Sequence, residues 1–208
     1  MKGLLVKDFT LLFKACKSIL IIIAVFFVII PFSDSYGFLN YYVIILAAMI
    51  PVTLVAYDEK EKWDLYFQTL PVSKSDYVSA KYLTGLILEG IVFLVLVVLR
   101  RLSYSNTNDL LAYASFLFIL GTVFLSVNLP VVFKFGSVKG RIVNIVLIII
   151  VFALSFIGME LGSASLETVL NVISGKYNMP LFSGVIAATL LLVVSWIMSV
   201  AIYKKKEI

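Results

Sequence analysis

At 62% hydrophobic and 14% charged, this 208-residue chain with a mean hydropathy of +1.10 departs from a soluble domain in the direction of a membrane protein. It has no histidine and a single cysteine, Cys16, so it lacks the commonest general base and metal ligand and can form neither an internal disulfide nor a metal cluster. The formal charge of +5 does not imply nucleic-acid binding, because the basic residues flank apolar runs instead of lining one soluble face.

The segment 1–17 places Leu5, Phe9, Leu12 and Cys16 on one helical face, with Lys2, Lys7, Lys14 and Lys17 mostly opposite. This predicts an interfacial helix whose lysines reach anionic lipid. The alternative is a simple extension of the first span with snorkelling lysines. A long basic start and no small-residue cleavage site argue against a removable signal peptide.

The expected fold class is all-α, a polytopic membrane protein of one domain with six transmembrane helices at 18–31, 37–56, 78–99, 110–132, 142–158 and 181–203. Most are near the ~20 residues that cross the hydrocarbon, and helices satisfy their own backbone groups there. Pro51 interrupts the second.

Residues 57–76 form the longest charged interval. Within it Trp63, Tyr66, Phe67 and Leu70 share one face of a short helix, while Asp58, Glu59, Lys62 and Gln68 occupy the others. Pro71 stops that helix, and Ser73 with Asp76 reads as a capping box opening the next one.

Orientation follows from charge. With the N-terminus inside, the inner side takes Lys2, Lys7, Lys14, Lys17, Lys60, Lys62, Lys74, Lys81, Lys134, Lys139, Arg141 and Lys204 to Lys206, fourteen of the seventeen basic residues. Only Arg100, Arg101 and Lys176 fall outside, so both termini and the 57–76 interval are expected in the cytoplasm. The last external connection, 159–180, carries an apolar stripe at Leu166, Val169, Leu170 and Ile173. Ser165 and Gly175 stand as its caps, which predicts a short external helix before the last span.

Little in the chain carries chemistry. There is no phosphate loop, and the run from Gly136 to Arg141 has neither the spacing nor a preceding soluble strand. Glu89 is the one plainly intramembrane acid. Either it faces a transport pathway, or it is a protonated carboxyl hydrogen-bonded to Thr84, Ser126 or Asn128. Asn128, Pro130 and Asn144 suit packing or kinking; Arg100 and Arg101 suit lipid headgroups.

The pattern Tyr57-Asp58-Glu59, Lys62-Trp63-Asp64, Thr69 to Ser73, Tyr77 and Lys81-Tyr82-Leu83 resembles the small ABC-2 type permeases of ABC transporters. The close match covers about 27 residues. The resemblance implies a bacterial cytoplasmic-membrane permease, not an enzyme, that pairs with a second copy or paralogue. It implies a separate cytoplasmic ATPase subunit binding ATP and Mg. By the same resemblance, 58–70 is a coupling helix with Trp63, Tyr66, Phe67 and Leu70 as anchors and Pro71 at its end. Glu89 and Asn128, from the reading of the residues alone, are the candidates for a transport pathway. Small members of the group resemble exporters of amphipathic or antimicrobial peptides. Two rivals remain: an ion-coupled transporter or channel using Glu89, and a non-transporting immunity or scaffold protein.

Overall fold

The computed structural model describes residues 2–32, 36–67, 69, 72–103, 108–160 and 179–205. Among them the protein is all-helical: α1 (Lys2–Ala15), α2 (Lys17–Ile29) with a 3-10 turn at Ile30–Phe32, α3 (Tyr36–Lys60), α4 (Trp63–Phe67), α5 (Lys74–Ser103), α6 (Asn108–Glu160) and α7 (Met179–Lys205). The expected external helix within 159–180, with Lys176, lies almost wholly outside the described residues.

The chain turns by 75° between α1 and α2. Cys16 takes φ −102° and ψ 15° at the corner, yet donates to Leu12 O and accepts from Leu20 N at 3.0 Å each. The two helices therefore keep their backbone bonds through the bend, and α1 is not a straight extension of α2. The buried stripe of α1 is rotated from the expected one: Leu4, Asp8, Leu12 and Cys16 face the core, while Val6 and Phe13 are exposed beside Leu5 and Phe9. An acid at the centre of an apolar stripe needs a buried partner, and it has one, described below.

α3 is the central helix: 67% of its span is buried within the protein, against 17% for the peripheral α7. A helix apolar on every side suits that position. α3, α5 and α6 meet at Gly85, where a Cβ would lie 2.7 Å from both Pro51 Cγ and Leu125 Cδ1. The proline ring cannot swing aside, so Gly85→Ala is expected to cost about 1–3 kcal/mol by overpacking. Thermal unfolding in nanodiscs measures this, and an unchanged midpoint would mean that the neighbours yield freely.

α6 folds back on itself. Gly136 has φ 82° and ψ 169°, a backbone region open essentially only to glycine. A Cβ on Gly140 would sit 3.5 Å from Val132 Cα. On one continuous helix, residues eight apart are separated by about 12 Å along the axis, so the arms before and after Gly136 form a tight corner.

Tyr82 on α5 bonds Ser195 Oγ at 2.6 Å and Ser199 Oγ at 2.8 Å on α7, and Ser195 Oγ donates to Ser126 O on α6 at 2.6 Å. Interhelical hydrogen bonds of this kind hold helices together where lipid offers no hydrophobic drive between them.

Among the described residues, four helical stretches are long and apolar enough to cross a membrane: Leu39–Lys60, Lys74–Leu102, Tyr113–Gly140 and Ser183–Lys205. The bent α1–α2 pair makes a possible fifth. Six were expected. The difference falls on 18–31, where α2 has only 13 residues and reaches about 20 Å, and on the second arm of α6, whose side chains are described only to Ile150.

Candidate functional site at the α4 end

α3 does not end near residue 56. It continues to Lys60, so Asp58 and Glu59 are the last turn of a buried helix instead of the start of an amphipathic one. Glu61 N still bonds Tyr57 O at 2.9 Å, and Lys62 N bonds Glu59 O at 3.2 Å. Lys62 then adopts a left-handed φ of 51°, which stops α3 and lets α4 start in a new direction. The helix expected over 58–70 is thus two pieces separated by a turn. Gln68, Leu70 and Pro71 lie outside the described residues.

The anchors in α4 divide. Phe67 is buried, with its ring 5.7 Å from Tyr77. Tyr77 on α5 also stacks on Tyr203 of α7 at 5.1 Å and meets Phe133 of α6 at 6.3 Å. Trp63 is half-buried and covers the Lys7 ammonium, which lies 3.8 Å from the ring centroid. Tyr66 points outward and is 64% exposed.

Beneath α4 lies a charge cluster that sequence reasoning missed. Lys81 on α5 is fully buried, 2.6 Å from Asp8 of α1 and 2.7 Å from Asp58 of α3. Lys7 contacts Asp58 at 2.6 Å, and Tyr77 OH donates to Asp58 Oδ2 at 2.8 Å. Two cations and two anions alternate, so the cluster is neutral and each carboxylate is bonded. Helical periodicity puts Lys7 toward the headgroups and Asp58 on an outer face, and the charge count takes Lys81 as an inner-side basic residue. The available signal was Asp8, centred between Leu4, Leu12 and Cys16 at four-residue spacing.

α5 opens on the expected capping box: Asp76 N donates to Ser73 Oγ at 3.1 Å, and Ser73 N donates to Asp76 Oδ2 at 3.3 Å.

Glu89 and Asn128 are not brought together by any described contact. Glu89, 4% exposed, packs on α6 where a Cβ at Gly121 would fall on its Oε1, and its Oε2 has no hydrogen-bond partner among the described residues. Ser126 and Asn128 direct polar hydrogens at carbonyls of their own helix, those of Thr122 and Phe124, while the Thr84 hydroxyl lies 2.9 Å from Ala80 O and 3.5 Å from Asp8 Oδ2, within donor reach of both. Asn128 Oδ1 and both side-chain polar atoms of Asn144 also lack hydrogen-bond partners among the described residues. Arg100 lies with its guanidinium carbon 5.2 Å from the Tyr113 ring centroid.

Among the described residues the chain is an all-helical bundle with helices long and apolar enough to cross a membrane and a charged, aromatic face at one end, the class of multi-pass membrane proteins. The family model described as "ABC-2 family transporter protein" matches residues 3–204, and the chain belongs to that family. No curated protein matches the chain. No solved structure matches it either.

Proposed function

We propose that the chain is the permease subunit of an ABC exporter that moves an amphipathic or antimicrobial peptide, or another amphiphile, out of a bacterial cell. The family implies a separate ABC ATPase subunit, which would bind ATP and Mg. The observation carrying the reading is α4: Tyr66 faces outward while Phe67 and Trp63 reach inward to aromatic and charged groups shared by α1, α3, α5, α6 and α7. A short helix gripped on one side and open on the other suits transfer of force from a docked partner.

In this reading the α4 end is cytoplasmic. Lys7, Lys60, Lys62, Lys74, Lys81, Lys134, Lys139, Lys204 and Lys205 lie on elements that converge there, through contacts such as Lys7 with Asp58, Glu59 with Ser137 and Lys74 Nζ with Lys204 O. Both termini then lie inside, α1 lies in the headgroups, and six spans cross the bilayer. A second permease copy or paralogue completes the pathway. The test is to purify the permease with its ATPase and measure ATP turnover against amphipathic peptides. Stimulation by peptide is the expected result; transport with a catalytically dead ATPase would refute the proposal.

The buried Oε2 of Glu89, without a hydrogen-bond partner among the described residues, favours a second reading, an ion-coupled transporter. It requires transport without nucleotide and loss of proton dependence in Glu89→Gln.

A further inference from the structure

We infer that Glu59 is a positioning residue that clamps the Gly136 corner of α6 to the end of α3, so that this corner and α4 move as one body. The proposal builds on the force-transfer reading of α4 and adds the route by which displacement reaches α6.

Glu59 Oε2 accepts a hydrogen bond from Ser137 N at 2.8 Å, across 78 positions of sequence. Ser137 is the first residue after the Gly136 break, where a helix presents backbone N–H groups without carbonyl partners in their own helix. A carboxylate there makes a charge-assisted bond and complements the helix dipole. Both Glu59 oxygens also lie close to the corner, at 3.6 and 3.8 Å from the position of a Cβ on Gly136. The corner has little freedom to migrate along the chain, because φ 82° with ψ 169° requires glycine.

Asp58 and Glu59 are adjacent, and successive residues on a helix project about 100° apart. The first grips Lys7 of α1 and Lys81 of α5; the second grips α6. Lys60 ends α3, and α4 begins at Trp63 after one turn. A push on α4 therefore reaches two sides of the bundle through two neighbouring carboxylates.

Spin labels at the exposed Lys60 and Lys139, introduced as Lys60→Cys and Lys139→Cys in a Cys16→Ala background, measure the separation by pulsed electron resonance in nanodiscs. A single narrow distance is expected in the parent protein, unchanged when the bound ATPase takes up ATP. Glu59→Ala is expected to lose that narrow distance. Glu59→Gln, whose amide oxygen still accepts, is expected to retain it. Gly136→Ala, which leaves the carboxylate in place, is expected to lose it again. The inference is overturned if Glu59→Ala keeps the parental distance, or if the parental distance shifts on ATP binding. Should the parent protein bind no ATPase, the functional reading falls, while the three side chains at position 59 still decide the clamp in the permease alone.

Discussion

Lys81→Met is expected to destabilise the protein by about 3–5 kcal/mol, the usual cost of removing one partner from a buried ion pair. Lys81 is fully buried, and its ammonium stands within 2.7 Å of both Asp8 and Asp58. Methionine fills much the same volume, so the loss is electrostatic. Asp58 keeps Lys7 and the Tyr77 hydroxyl. Among the described residues Asp8 keeps the Thr84 hydroxyl, which it shares with Ala80 O, at 3.5 Å and the Lys7 ammonium at 3.9 Å. The burden thus falls on Asp8, and this gives the prediction its control. Lys81→Met combined with Asp8→Leu removes a cation and an anion together and leaves Lys7 facing Asp58 at 2.6 Å. Replacing a whole buried pair by apolar groups is often neutral or stabilising, so the double variant should recover most of the loss. Unfolding midpoints in nanodiscs read both. A double variant as unstable as the single one would show that Lys81 acts through packing and not through charge.

The local parts of this architecture were legible because short-range rules govern them. Ser73 and Asp76 bond each other three residues apart, so a capping box can be read from four letters. The helical class follows from unbroken apolar runs, whereas the single face expected for Trp63, Tyr66 and Phe67 divides, with Phe67 buried and Tyr66 exposed. What escaped depends on pairing across the chain. Lys7, Asp58 and Lys81 are separated by 51 and 23 positions, and nothing local distinguishes a lysine that snorkels from one that crosses the bundle. The end of α3 was misplaced for a related reason: charge at Asp58 and Glu59 resembles the edge of a span. Yet each carboxylate has a buried or backbone partner that lets the helix continue. The second half of the expected α1 face holds, with Leu12 and Cys16 buried, but its first half shifts by one position, since grouping by apolarity favours Leu5 and Phe9 over Leu4 and Asp8.

The division of labour within α4 yields the sharpest functional expectation. Tyr66→Ala should lower ATPase docking about thirtyfold, the effect of losing an aromatic hot spot worth about 2 kcal/mol. Its unfolding midpoint should change little, because the ring is 64% exposed and its aromatic contact is with the half-buried Trp63, at 6.4 Å between centroids. Phe67→Ala should behave oppositely. That ring is buried and packed on Tyr77, so its removal should cost about 3–5 kcal/mol of stability. The combination Trp63→Ala with Phe67→Ala should unseat α4 altogether, since the first substitution uncovers Lys7 and the second empties the aromatic cluster. Docking is measured by titrating the ATPase onto nanodisc-embedded permease, and stability by thermal unfolding of the same samples. If Tyr66→Ala binds the ATPase as tightly as the parent, α4 is not the docking face. Coupling must then be sought at another part of this end of the bundle, where Phe135 and Val138 beside the α6 corner are 51% and 74% exposed.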